Sequence, residues 1–205
     1  MKEIISSKDA TLQLIDCHSL KPKYCLSENL NIHEDLILQC KAGDREAHYR
    51  LYKLYSKAMF NVCYRIIGRE DDAEDALQEA FISAFRNLNS YRGDASFGAW
   101  LKRIAVNKAI NIVKKRRAEL LPDDENWDIP EEEQEGEYKE ELTVDRVKSA
   151  IQQLPDGYRT VLTLYLLEGY DHQEIAEIIG ITESTSKSQL NRAKNKLKEI
   201  LTVKV

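Results

Sequence analysis

The chain has 205 residues, 42% of them hydrophobic, and a formal net charge of -5; on length alone it is one large domain or two small ones, with apolar material enough for either. It contains no run of 18 apolar residues, and the opening MKEIISSKDATLQL lacks the apolar stretch and cleavage site of a secretion signal, so neither membrane insertion nor export is expected and the protein is placed in the cytoplasm. A negative chain is a poor partner for phosphate, but the charge is unevenly spread. Residues 30–118 carry 16 bases against 11 acids, residues 119–142 carry 12 acids and one base, and residues 143–205 carry 9 bases and 8 acids. Two non-acidic blocks flank an acidic strip.

Cys17, Cys25, Cys40 and Cys63 follow no close metal-ligand spacing and are read as inert thiols. The sharper alternative is a metal or redox site built from Cys17, His18 and Cys25 in CHSLKPKYC, which lacks a paired CxxC. No cofactor is expected.

From residue 35 to 117 the pattern is helical almost throughout. Leu36, Ile37 and Cys40 make a short apolar face; Gly43 breaks the helix, and Asp44 suits the N-cap of the next. Ala47, Leu51, Leu54, Ala58, Val62 and Ile66 recur every three or four residues, which predicts a helix buried on one side, and Gly68 fits a left-handed C-terminal cap. A third helix is expected from Asp71 or Asp72, where acids suit the helix dipole, with Ala73, Ala76, Leu77, Ala80, Phe81, Ala84, Phe85 and Leu88 inward and an end by Asn89. After the loop SYRGDAS comes a fourth, burying Trp100, Leu101, Ile104, Ala105 and Ile112 and finishing in Lys114, Lys115, Arg116 and Arg117. The strip AELLPDDENWDIPEEEQEGEYKEEL has two prolines, a glycine and a dense run of like charge, so it reads as a solvated tether and domain boundary; an acidic mimic of DNA is the alternative.

The second block opens with Val144, Val147, Ile151 and Leu154 at helical spacing, is interrupted by Pro155, and resumes through Tyr158, Val161, Leu162, Tyr165 and Leu166 until Glu168 and Gly169 stop it. DHQEIAEIIGITESTSKSQLNRAKNKL then reads as a short helix burying Ile175, Ala176 and Ile179, a tight turn at Gly180 and a longer helix, with Asp171 and Thr182 as caps. The fold class expected is all-α: two small helical domains, residues 30–118 and 143–205, joined by the linker 119–142. No strand pattern, glycine-rich phosphate loop or internal repeat competes.

An enzyme needs a nucleophile with a base, a metal cluster or paired carboxylates in a cleft, and none is evident; His18, His33, His48 and His172 are scattered. DNA binding is better supported. In a helix-turn-helix the second helix enters the major groove and reads base edges from its first turns. In the helix after Thr182, Leu190, Ala193, Leu197 and Leu201 face inward, while Lys187, Ser188, Asn191, Arg192 and Asn195 share the other side; Arg and Lys suit guanine, Asn suits adenine, and hydroxyls serve bases or phosphates. A second surface closes the first block. Arg103, Asn107 and Asn111 line one side of a helix that continues into Lys114 and Lys115, and the loop before it supplies Tyr91, Arg92 and Phe97, rings beside bases suited to stacking on unpaired nucleotides. Trp100 reads more as core than as a stacking platform.

These residues resemble the extracytoplasmic-function (ECF) group of the sigma-70 family. DAEDALQEAFISAFRNLNSYRGDASFGAWLKRIAVNKAINIVKKRR is similar to that family's second conserved region, and LPDGYRTVLTLYLLEGYDHQEIAEIIGITESTSKSQLNRAKNKL to its fourth. The resemblance implies a sigma factor that binds core RNA polymerase and directs promoter recognition, promoter melting and transcription initiation, with no catalysis of its own. It implies that Asp75, Gln78 and Glu79 face the clamp helices of the largest polymerase subunit. Asn107 and Asn111, with Arg103 and Lys114 on the same face, would meet the minus-ten element, and the Tyr91–Ser96 loop with Arg92 would hold a flipped base. Ser184, Lys187, Ser188, Asn191 and Arg192 would read the minus-thirty-five element while that domain docks on the flap of the second-largest subunit, and an anti-sigma partner is implied. Ser186 stands where the family usually has a branched apolar residue. Gln189 and Asn191 are not its commonest residues, so the promoter sequence does not transfer. The first 29 residues exceed what the family needs and are read as a disordered extension. A stand-alone helix-turn-helix regulator dimerising on palindromic duplex is the rival reading, and a nucleic-acid enzyme the more distant one.

Overall fold

Asp44 decides where the long second helix begins. Its side chain accepts hydrogen bonds from the backbone N–H groups of Glu46 and Ala47, satisfying two donors that the first turn leaves without partners. At the other end Gly68 takes a left-handed φ of 76° and returns its N–H to the Tyr64 carbonyl. Between these stops runs α2 (Arg45–Ile67), preceded by α1 (Glu34–Lys41) and followed by α3 (Glu70–Arg86), a 3-10 turn (Leu88–Ser90) and α4 (Phe97–Leu120). The structure, a computed structural model, describes residues 33–120 and 143–202. The N-terminal extension with its Cys17, His18 and Cys25, and nearly all of the acidic strip, lie outside the described residues.

Helices α2, α3 and α4 pack pairwise around a core of Leu51, Ile66, Ile67, Leu101, Val106 and Cys63, all fully buried. The expected faces of α1 and α3 hold, with α3 starting at Glu70, one residue early; on α4 Leu101 and Ala105 are buried as expected, but Trp100, Ile104 and Ile112 are only partly so, and Val106, Ala109, Ile110 and Val113 complete the inward face. On α2 the expected face is rotated. Leu54 is 53% exposed and Ala58 is exposed, whereas Met59, Cys63 and Ile67 are buried. Over 23 residues the inward stripe runs through 47, 51, 59, 62/63 and 66/67, against α3 and α4. Burial pushes the Cys63 thiol up to about 12 and also raises Cys40, so both stay protonated.

The C-terminal module comprises α5 (Val144–Gln152), α6 (Asp156–Leu162), a π-helical turn (Thr163–Leu167), α7 (His172–Ile179) and α8 (Glu183–Thr202). Val144, expected inward, is 70% exposed; it is the first helical residue after the Thr143 cap, before the packed face begins. Pro155 separates α5 from α6. Helix α8 packs on α5, α6 and α7 through Leu190 and Ala193. The described residues contain no strand, and no helix among them is long and apolar enough to cross a membrane. From Asn31 onward the chain is one compact unit, and the buried apolar residues of the two modules form one contiguous core.

Candidate nucleic-acid interface

The turn between α7 and α8 is fixed at each end by side chains. Asp171 accepts from the Glu174 N–H while the Glu174 carboxylate accepts from the Asp171 N–H, closing a capping box. Gly180 ends α7 at φ 81°. Thr182 then caps α8, its hydroxyl accepting from the Thr185 N–H. Ser186, the polar residue at an apolar position, is 0% exposed. The Ser186 hydroxyl lies 2.9 Å from Nδ1 of His172, and the His172 ring stacks on Tyr165 at 4.6 Å. A polar pin thus joins the two helices where a branched side chain would otherwise pack, giving the buried Ser186 hydroxyl a partner in the half-buried His172 ring.

With α8 fixed in this way, Ser184, Lys187, Ser188 and Asn191 are exposed and Arg192 is half-buried. Lys187 pairs with Glu183 at 2.7 Å, an exposed ion pair worth little in water and open to exchange for a phosphate. The Ser188 hydroxyl donates to the carbonyls of Ser184 and Thr185, leaving its oxygen lone pairs to accept. Gln189 is buried and faces away from that surface.

On α4, Arg103, Asn107, Asn111 and Lys114 are all exposed and follow one side of the helix. The loop before it differs from expectation. Tyr91 is 7% exposed and Phe97 is buried; the Tyr91 hydroxyl donates to the Ala95 carbonyl at 2.7 Å, and its ring packs edge-on against Phe97 and tilted against Trp100. Burial raises the Tyr91 hydroxyl above its ordinary pKa. Tyr91 and Phe97 therefore shape the loop from inside instead of offering a face for stacking. Arg92 remains exposed and Trp100 is partly so.

Asp75, Gln78 and Glu79 share the outer side of α3 and are exposed. Glu79 is held by Lys108 of α4 at 3.2 Å, beside Ile82, Ser83, Arg86 and Asn87 in a shallow groove. Among the described residues no group of three or more His, Cys, Asp or Glu is placed to hold a metal ion.

The sequence reading missed where the two modules meet. Arg159, on what periodicity makes an ordinary amphipathic helix, is 4% exposed and bonds across to the end of α2. Glu168, read only as a helix stop, has a side chain 4% exposed and bridges Arg65 at 2.5 Å and Lys102 at 3.5 Å. A signal existed in hindsight: an arginine immediately before an otherwise apolar run, TVLTLYLL, marks a charge that must find partners if that helix is buried.

Residues 51–119 match the family described as Sigma-70 region 2, and residues 145–197 match Sigma-70, region 4. The chain is 32% identical over 176 residues to the ECF RNA polymerase sigma factor SigW of Bacillus subtilis (strain 168), covering 80% of this chain and 94% of that protein. It is 31% identical over 180 residues to the RNA polymerase sigma-H factor of Pseudomonas aeruginosa, covering 82% of this chain and 93% of that one. Among solved structures it is similar to the sigma factor RpoE in complex with the anti-sigma factor NepR from Bartonella quintana, with a TM-score of 0.51 and 25% identity over 77% of this chain and 98% of that chain. With both regions present in order and near-complete coverage of such relatives, the chain belongs to the extracytoplasmic-function group of the sigma-70 family.

Proposed function

We propose that this chain is a sigma factor that binds core RNA polymerase, directs it to promoters, assists strand opening, and catalyses no reaction of its own. One observation carries the reading furthest: a capped and pinned helix-turn-helix and a separate exposed stripe of Arg103, Asn107, Asn111 and Lys114 occupy different modules of one chain. In this reading Lys187, Ser188, Asn191 and Arg192, with Ser184, contact the minus-thirty-five element. The α4 stripe and Arg92 receive the minus-ten element as its strands part, with Tyr91 holding the loop in shape. Asp75, Gln78 and Glu79 face the clamp helices and the C-terminal module docks on the flap. The solved relative's complex with an anti-sigma factor supports an inhibitor of the same kind here.

Opening is driven by binding. A separated strand exposes bases and phosphates that the α4 stripe can engage, and the paired duplex does not, so contact energy offsets unpairing. Adding the purified chain to core polymerase on a template bearing a cognate promoter gives transcripts from one start site. Tight binding to palindromic duplex by the chain alone, without such transcripts, establishes the stand-alone regulator instead.

A further inference from the structure

The surfaces used above leave α1 without a task, yet its last residue reaches a partner 50 positions along the chain. A lysine in the last turn of a helix ordinarily sits over that helix's own terminal carbonyls, the negative end of its dipole. Lys41 instead extends to the loop between the 3-10 turn and α4. There its Nζ donates to the Tyr91 carbonyl at 3.0 Å and stands 5.8 Å from the centre of the Tyr91 ring. Helix α1 lies before residue 51, where the match to Sigma-70 region 2 begins.

That loop is held at both ends and closed on itself. The Tyr91 N–H donates to the Leu88 carbonyl, the Tyr91 hydroxyl donates to the Ala95 carbonyl at 2.7 Å, and the Ser96 hydroxyl accepts from the Ala99 N–H as α4 begins. Gly93 turns the chain between them at φ 85°, a conformation that a side chain would strain. Arg92, Asp94 and Ala95 are left exposed. Beneath, Tyr55 of α2 packs edge-on against Phe97 at 5.2 Å, and His33, the residue before α1, packs edge-on against Tyr55 at 5.9 Å. The region of α1 therefore supports the loop at two points, through the rings from His33 and directly from Lys41. The direct contact is the more specific one. A peptide unit is planar, so a bond that fixes the Tyr91 carbonyl also fixes the Arg92 N–H on the far side of the same plane, and with it the direction in which Arg92 leaves the core.

We infer that Lys41 is a positioning residue for the base-holding loop: by bonding the Tyr91 carbonyl it sets the peptide that carries Arg92 before an unpaired base arrives. The inference rests on the sigma-factor reading of the Tyr91–Ser96 loop and adds a residue to it. Lys41 acts through Tyr91 and Arg92, and not on a nucleotide. A loop that orders only on contact spends part of its binding free energy on fixing its own backbone, and a loop already set does not. Discrimination between bases also needs donors and acceptors that point in one direction, which a supporting residue supplies. An ammonium on a flexible stem suits the task, because it reaches over from another helix and makes a charge-assisted bond to the carbonyl.

The test reconstitutes the full chain with core polymerase on promoters in which each downstream position is varied in turn, and uses Arg92→Ala to mark the position that the loop reads. Lys41 is exposed, so Lys41→Ala removes little packing. It is expected to lose discrimination several-fold at the marked position while the other downstream positions and the upstream element are discriminated as in wild type. Lys41→Arg, which can donate to the same carbonyl, restores it, and Gln39→Ala, at an exposed position of the same helix, changes nothing. A lysine that only stabilised the fold would lower transcription from all templates in step. Loss shared equally by all positions, loss that Lys41→Arg does not restore, the same loss from Gln39→Ala, or no loss at all overturns the positioning role; promoter-directed transcripts from the wild type then leave the sigma-factor reading standing. If the wild type transcribes but Arg92→Ala marks no position, the assignment of the loop falls and the inference falls with it. Absence of promoter-directed transcripts from the wild type overturns the sigma-factor reading as a whole.

Discussion

The two modules are held together by different means. All five buried polar or charged residues among the described residues, Arg159, Thr160, Thr163, Ser186 and Gln189, belong to the C-terminal module. The N-terminal module is instead built on aliphatic and aromatic contacts, among them Tyr55, Tyr91, Phe97 and Trp100 with ring centroids 5.2 to 5.6 Å apart. Apolar packing is non-directional and tolerates adjustment. Hydrogen-bonded burial is directional and leaves costly orphans when one partner goes. The C-terminal module uses the directional kind, and three of these groups lie at its two junctions: Ser186 at the α7–α8 pin, and Arg159 and Thr163 at the seam with α2.

The contrast is broken most severely at Arg159. Arg159→Ala strips partners from buried carbonyls and from Asp156, and a loss of about 3 to 5 kcal/mol in urea unfolding is expected, with Arg159→Lys recovering only part because an ammonium lacks the planar fork. On the apolar side, Leu101→Ala removes a fully buried side chain and is expected to cost about 2 to 4 kcal/mol. There, however, Leu101→Met costs under about 1.5 kcal/mol, since volume matters more than direction. If the Lys variant proves as benign as the Met variant, the contrast between the modules is wrong.

A smaller effect separates reading from folding. Arg192→Ala is expected to relax discrimination at one upstream base pair by about 1 to 3 kcal/mol, seen as the ratio of transcripts from matched and mismatched promoters. Ser186→Ala removes the hydrogen bond to His172 and costs about 1 kcal/mol in thermal unfolding, with upstream recognition weakened through the tilt of α8. The smallest effect is at the thiols. With Cys17 and Cys25 replaced by serine, Cys40 and Cys63 react slowly with an alkylating reagent at pH 8, because burial raises both. A thiol raised to about 12 when folded stabilises the fold below its unfolded pKa, and this contribution falls as the pH climbs from about 9 toward 12; melts across that range show the decline.

Much of this was legible in the chain because it is local. The caps Asp44, Gly68, Asp171, Gly180 and Thr182 act within three or four residues of themselves, and each does what its type implies. The exposed stripes on α4 and α8 follow from periodicity alone. What escaped depends on residues far apart in sequence. Leu54 turned outward and Met59 inward because α2 packs against α3 and α4. Tyr91 turned inward because Phe97 and Trp100 close over it. Arg159 meets Ile66 across 93 residues, a pairing no window of sequence contains. Ser186 looked like a packing fault and is a hydrogen-bonding position, since its partner His172 lies in the preceding helix.

The central claim is that each module reads its own promoter element, and the most direct measurement is transcription by reconstituted polymerase from a matrix of promoters altered upstream or downstream, using wild type, Arg192→Ala and Asn111→Ala. The account predicts that Arg192→Ala loses discrimination among upstream variants only and Asn111→Ala among downstream variants only. Equal loss at both elements from either substitution, or loss at neither, contradicts it.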